Sequence, residues 1–388
     1  MHEYVQCVTP HFLALLISKL YENCPPKPRP ISKAGSKESI FPSGRNLQLN
    51  PQKPITSSSE VAKIQPDTKD LWSQPKYRPH KSIHPLDSAH LNPPKISLIT
   101  GTAGRTTELK RLANSITDQA ISDVEWIIID QNKDERAKLI IQDYYGLVPI
   151  KHLRRAPNLS SALNTGAEIA SAEILGFPDD DCWFDQKFAS NIIDIFEANP
   201  DWDILMCKVI DQAGRPAISN WETSSGPCNR FNAWVQIAAT GLFFRRNIFN
   251  ALGGFDPTLG LSEEISLASH DLDIVLRALE EGMSVHYVTQ PSIFHPPMLK
   301  RNDKNHQRKA FSYAIGAGRL MRDHRMPLWW ISVSLIIPVL RGSFAAIRGE
   351  PDSAWLSWME AYGRLCGWLG KGGGRRSLLM SLWSYIID

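Results

Sequence analysis

From residue 95 onward, short uninterrupted apolar runs alternate with segments whose apolar residues recur at helical spacing. Residues 95–100 (KISLIT) predict a buried strand, followed by a Gly/Thr turn over Gly101–Gly104. Residues 106–118 carry apolar side chains at a helical period. A second buried strand spans 125–130, a charged helix 133–145 and a third strand 148–153. A helix rich in small residues follows over 159–172, then a fourth strand, 173–178, that runs into Asp179, Asp180 and Asp181. Apolar strands separated by helices predict an α/β fold with a mostly parallel central sheet, Rossmann-like and covered by helices on both faces. Ligands on such sheets sit beyond the carboxyl ends of the strands. Three polar clusters fall there: Thr100–Arg105, Asp130 with Gln131 and Asn132, and the aspartate triplet. Further on, the pattern predicts a strand over 240–244, a short helix over 246–252, a Gly253-Gly254-Phe255-Asp256 turn, a helix over 271–281 and a strand over 283–288.

The first 94 residues look different. They hold 14 of the 27 prolines and show no apolar period beyond residue 20. Such a stretch cannot bury enough surface to offset its ordering entropy, so 1–94 is expected to be mostly a disordered, Pro-rich segment, or the product of a misplaced start codon. The apolar run 11–18 (HFLALLIS) lacks a basic start and a small-residue cleavage site, which argues against a signal peptide. The chain is nearly neutral, with 43 Lys and Arg against 40 Asp and Glu, which argues against nucleic acid as a partner. Six cysteines show neither C-x-x-C spacing nor zinc-finger intervals with His, so a reducing, cytoplasmic setting is expected.

Three adjacent carboxylates repel one another unless solvent or a cation offsets them. Hard divalent cations, Mn2+ or Mg2+, suit oxygen ligands and share them with substrate phosphates. A solvated acidic turn is the simpler alternative.

On these pieces the chain resembles the family 2 glycosyltransferases of GT-A fold. The matching segments come in order: ISLITGTAGR, WIIIDQN, LNTGAEIASAEILGFPDDDCWF, TGLFFRRNIFNALGGFDPTLG and SHDLDIVLRALEEG, over about residues 95–325. The resemblance implies a nucleotide-sugar half at 95–202, an acceptor half at 203–325 and a C-terminal helical region at 326–388. It implies a nucleoside-diphosphate sugar as donor, bound through Thr102, Arg105, Asp130, Gln131, Asn164, Asp179 and Asp180. Relatives often have Asp where Gln131 stands, and an Arg-Asn pair where this chain has Leu163-Asn164; Arg154 or Arg155 could replace the missing cation. Asp130 could equally be a turn-stabilising residue. The metal ligands implied are Asp179, Asp180 and Asp181, with the D-x-D register open between Asp179 plus Asp181 and Asp180 plus Asp181. His295 is a further ligand candidate, or a structural histidine.

In relatives a Glu-Asp pair opens a helix and its Asp is the general base. Here the pair is His270-Asp271. Asp271 is the expected base. A carboxylate there could also simply cap the helix, and His270 could itself be the base. Direct displacement with inversion at the anomeric carbon is the implied reaction, building a polysaccharide on a glycan or lipid-linked acceptor. A non-catalytic relative that binds a nucleotide sugar or a partner is the second reading. No G-x-x-x-x-G-K-[ST] loop is present, and GTAGR only faintly matches a nucleotidyltransferase loop.

Residues 306–325 predict a basic, small-residue-rich helix. The longest apolar stretch, 327–340, is bounded by Pro327 and Pro338 and is too short to span a bilayer comfortably. Trp329, Trp330, Trp355, Trp358 and Trp368 with nearby cations suit peripheral contact with the inner face of a membrane. Packing on the catalytic part is the alternative.

Overall fold

The computed structural model describes residues 93–119, 123–218, 221, 223–260, 267–297 and 304–370. The expected Pro-rich segment lies almost wholly outside the described residues, as do residues 371–388.

The sheet has eight strands in the order β3-β2-β1-β4-β7-β5-β8-β6. Its first half follows the sequence pattern: β1 (Ile96–Thr102), β2 (Val124–Asp130), β3 (Ile150–Arg154) and β4 (Ile174–Gly176) are parallel neighbours. Every residue of β2 is buried, which is why the run carries no polar alternation. Helices α1 (Thr107–Thr117), α2 (Arg136–Ile141) and α3 (Leu159–Ile169) connect them. Asn158 caps α3 through its Oδ1, which accepts from the Ser161 amide at 2.9 Å. The small residues of α3 let it approach the sheet. A Cβ on Gly166 would come within 2.3 Å of Ile99 Cγ2.

The second half keeps the expected mostly parallel direction in two strands and adds two reversed ones. After α4 (Phe188–Ala198), β5 (Ile204–Ile210) pairs parallel with β8 (Val285–Phe294), but β7 (Leu242–Arg245) runs antiparallel between β4 and β5. The short β6 (Gly226–Pro227) closes the edge antiparallel to β8. The sheet is therefore mixed, because the β4-to-β5 gap is filled by a strand that arrives later and from the opposite direction.

Helices α5 (Ala233–Gln236), α6 (Arg246–Ala251) and α7 (His270–Glu280) flank this half. Phe177, at the exit of β4, packs edge-on against Phe255 of the Gly-Gly-Phe-Asp turn, with centroids 4.9 Å apart. Such a pair adds about 0.5–1.5 kcal/mol beyond area burial.

Three helices complete the described chain: α8 (Lys304–Asp323), α9 (Leu328–Ile347) and α10 (Pro351–Trp368). Pro338 does not end the apolar segment as expected; α9 runs through it for 20 residues. Proline leaves the carbonyl four residues earlier without its N–H partner. That carbonyl, of Ser334, accepts instead from Arg364 Nη1 of α10 at 2.7 Å. The helix is now long and apolar enough to cross a membrane by length and composition. Among the described residues Cys182, Cys207, Cys228 and Cys366 are free thiols.

Candidate active site

The three polar clusters meet at one end of the sheet. The parallel register sets Thr102 beside Asp130. Thr102 Oγ1 donates to Asp180 Oδ2 at 2.7 Å, which ties β1 to the acidic loop. The Gly104 amide donates to Asn132 Oδ1 at 2.6 Å, which ties the first loop to the second.

Candidate cation donors come together from two segments more than a hundred residues apart. Trp183 and Phe294 exchange two backbone hydrogen bonds of 3.0 Å, an antiparallel bridge that sets the loop leaving the triplet against the end of β8. His295 thereby reaches Asp181, with Nε2 3.1 Å from Oδ1. Its Nδ1 lies 2.7 Å from the Pro296 carbonyl, a donor's position that leaves Nε2 to face the carboxylates. Ligand atoms of Asp179, Asp181 and His295 lie within 4.8 Å of one another. This donor set fits a divalent cation. Two carboxylate oxygens suit Mg2+ or Mn2+, and the imidazole favours the transition metal.

Burial and mutual charge pull these groups in opposite directions. Burial and the neighbouring Asp181 push Asp179 up to about 7. Burial also raises Asp180, against the opposing pull of Arg105. Asp181 is held low in spite of burial, because His295 donates to it. His295 is raised in return by Asp181 and Asp179, against burial.

Asp179 and Asp181, and not Asp180, are the two carboxylates of the triplet whose oxygens converge with His295. Asp180 is engaged elsewhere, with Thr102 and Arg105. The guanidinium of Arg105, the residue expected to touch the nucleotide, lies against the triplet, with Nη2 2.7 Å from Asp181 Oδ2 and Nη1 on Asp180.

Other expected contacts are also taken up within the protein. Asp130 is buried, and its Oδ1 accepts from the Asn132 amide and Nδ2 at 2.9 and 2.8 Å, the turn role foreseen as the alternative. Its Oδ2 faces His152 Nε2 at 3.2 Å. Gln131 donates from Nε2 to the Ala156 carbonyl at 3.1 Å. Asn164, expected near the donor, instead clamps Phe255: Nδ2 donates to its carbonyl at 2.8 Å and Oδ1 accepts from its amide at 2.9 Å. Arg154 pairs with Glu135 at 2.8 Å, while Arg155 is exposed.

Asp271 stands in the first turn of α7, directly after His270. Ser269 before it adopts φ 104, a left-handed conformation that costs a non-glycine residue about 1–3 kcal/mol. Helix α8 presses on this junction; a Cβ on Gly316 would lie 2.0 Å from the Ala268 carbonyl oxygen. His270 is buried edge-on to Phe255, with neither ring nitrogen bonded among the described residues. Burial lowers its basicity in spite of Asp271 and Asp273.

Sequence reasoning missed three residues. Arg111 lies 3.9 Å over Trp183 and donates from Nη2 to the Asp181 carbonyl at 2.6 Å, holding the acidic loop. His152 buttresses Asp130. Tyr313 of α8, 42% exposed as a residue, has its phenol pushed up by desolvation and by the charges of Asp271, Asp179 and Asp181. Only the helical period of 306–325 hinted at it.

Residues 97–250 match the family described as "Glycosyl transferase family 2". This segment is a family 2 glycosyltransferase domain. The chain is also similar to an uncharacterized glycosyltransferase of Nostoc sp., 28% identical over 42% of this chain and 54% of the relative. The chain thus spans about half the length of that relative. A glucosyl-dolichyl phosphate glucuronosyltransferase of Haloferax volcanii is 22% identical over 52% of this chain and 69% of its own. Among solved structures, S. aureus TarS 1–349 in complex with UDP aligns with TM-score 0.45 and 14% identity, covering 71% of this chain and 90% of that one. The mannosyltransferase PcManGT from Pyrobaculum calidifontis, in complex with GDP-Man and Mn2+, aligns with TM-score 0.46 and 13% identity over 76% and 81%. The glycosyltransferase segment ends before α7, so Asp271 and His295 lie outside it.

Proposed function

We propose that the chain moves a sugar from a nucleoside-diphosphate sugar to a hydroxyl of a glycan or lipid-linked acceptor, with inversion, in polysaccharide assembly at the cytoplasmic face of a membrane. Residues 95–202 form the donor half, 203–325 the acceptor half and 326–388 the membrane-associated region. The observation that carries this reading is the convergence of Asp179, Asp181 and His295 within 4.8 Å at the rim of the sheet.

Thr102, Arg105 and Gln131 line the donor side. Arg105 neutralises the triplet and is the nearest cation for a diphosphate. A divalent cation held by Asp179, Asp181 and His295 would offset charge on the departing nucleoside diphosphate. Asp271 takes the proton of the acceptor hydroxyl. The oxygen lone pair forms the bond to the anomeric carbon as the bond to the diphosphate oxygen breaks, and that electron pair leaves with the diphosphate. The strained Ser269 and the pressure of α8 fix where Asp271 points. His270, buried and kept neutral, supports the turn beside Phe255.

The test is a panel of nucleotide sugars with Mn2+, read first as thermal stabilisation and then as sugar transfer or donor hydrolysis. One or more donors should stabilise both wild type and Asp271→Asn, while turnover falls about a hundredfold or more in the variant. Equal rates would remove Asp271 as base. Stabilisation without turnover in wild type would favour the non-catalytic reading.

A further inference from the structure

Residues 304–376 hold 12 Lys and Arg against 4 Asp and Glu, although the whole chain carries only +3. The basic excess flanks the α9–α10 hairpin, in 304–325 and 371–376, while 328–368 balances Arg341, Arg348 and Arg364 against Glu350, Asp352 and Glu360; the outer faces of α9 and α10 are apolar. Leu340, Phe344 and Ile347 of α9 are 62%, 47% and 84% exposed. On and just after α10, Trp358, Tyr362, Leu365 and Leu369 recur at helical spacing and are all exposed. The opposite faces are buried at Gly342 and Ala345 in α9, and at Ala354, Ala361 and Gly367 in α10.

Length and composition would let α9 cross a bilayer, but its attachments oppose this. α10 is locked onto α8 by glycines; a Cβ on Gly367 would lie 2.0 Å from the Ile315 carbonyl oxygen, and one on Gly318 equally close to that of Arg364. α9 is locked onto α10 in turn. Arg341 pairs with Glu360 and donates to Ser357 at 3.1 Å, Glu360 also holds Arg364 at 2.6 Å, and Arg364 supplies the hydrogen bond that Pro338 denies to Ser334. Threading α9 through a bilayer would break this latch and leave Arg341, Glu360 and the Ser334 carbonyl without partners in hydrocarbon.

We propose that the α9–α10 hairpin lies flat in the interface of a bilayer carrying anionic headgroups. Leu340, Phe344, Ile347 and Trp358 enter the acyl boundary, and the basic residues that flank the hairpin in sequence, Arg308 and Lys309 of α8 among them, supply the attraction to the phosphates. The inference deepens the membrane placement proposed above by naming the surface and its orientation, and it does not depend on sugar transfer.

The test uses the full chain in co-sedimentation with vesicles of phosphatidylcholine alone or with a third of phosphatidylglycerol. Wild type should bind the anionic vesicles more tightly, and alkaline carbonate should release it. Leu340→Ser with Phe344→Ser, both exposed and checked by thermal unfolding, should weaken binding about tenfold or more. Equal binding by the double variant, binding to neither vesicle, or resistance to carbonate would each overturn the proposal. So would a lipid-free dimer abolished by the same substitutions, or vesicle binding gained only after removal of residues 371–388. Thermal stabilisation by nucleotide sugars in the same samples reads the transferase proposal separately.

Discussion

His324, at the end of α8, is buried between two carboxylates of α7: Nε2 lies 3.1 Å from Asp273 Oδ1 and Nδ1 3.1 Å from Glu280 Oε1. Asp273 also holds Arg277 at 2.9 Å, and Arg277 donates to the Gly254 carbonyl at 2.7 Å. Arg230 meets the same junction at the His324 carbonyl, 2.8 Å away. The network anchors the helix that carries Asp271 from its far side. Replacing His324 with Ala removes one charge-assisted hydrogen bond to a buried carboxylate, about 1.5–3 kcal/mol. The Glu280 bond is half exposed and adds at most about 0.5 kcal/mol. Asp273 keeps Arg277, so the total stays near 2–3 kcal/mol, or about 5–10 °C in Tm.

The pH dependence follows from the direction of the shifts. Burial lowers His324, but Asp273 and Glu280 outweigh it and raise it above its ordinary 6.5. Its contribution is therefore complete below 6.5 and is lost as pH rises through the raised value. Asp273 is held below its ordinary 3.8 by His324 and Arg277 in spite of burial, so its share is present above 3.8 and fails as pH falls through the lowered value. The Tm gap between wild type and His324→Ala should be widest from about pH 4 to 6.5 and should narrow by about pH 9. Thermal unfolding across that range checks it. A gap unchanged from about pH 6 to 9, or below about 0.5 kcal/mol throughout, would refute the charged latch.

Asn164→Ala should lose both bonds to Phe255 and cost about 1–3 kcal/mol in urea unfolding; no loss would mean that the clamp is idle. Gly254→Ala should cost at least as much, because Gly254 sits at φ +74 and its new Cβ would lie 2.6 Å from Asn164 Oδ1. Mn2+ at about a hundred times its Kd should stabilise wild type by about 2.7 kcal/mol. Asp181→Asn and His295→Ala should each abolish most of that gain, and an unchanged gain would move the cation elsewhere. Arg111→Ala should lower turnover and alter Trp183 fluorescence while costing only about 1–2 kcal/mol of stability; unchanged turnover would show that the acidic loop holds itself.

The first half of the sheet was legible because β1 and β2 are buried on both faces and their apolar runs are unbroken, so the loops at their ends stand out. The antiparallel insertion of β7 was not. Residues 240–244 announce a strand but carry no mark of direction or neighbour. Nor was α4, whose buried face at Phe188, Ile192 and Phe196 follows directly on the acidic loop with no capping side chain to mark its start. Within the site, the triplet and His295 could be named from the chain, whereas partners across space could not. Arg105 and Asn164 each have a polar group whose partner in the structure, the aspartate triplet and Phe255, only the fold brings near, as does His152 beside Asp130. Pro338 misled for the same reason, since its repair comes from Arg364 on another helix.

The Trp183–Phe294 bridge joins positions separated by more than a hundred residues. A growing polypeptide that has made the acidic loop still owns two oxygen donors and no imidazole until β8 is laid down. Assembly of the three donors and closure of the last long strand thus become one event, and, on the proposed reading, affinity for a divalent cation would gauge whether the carboxyl-terminal half has come home.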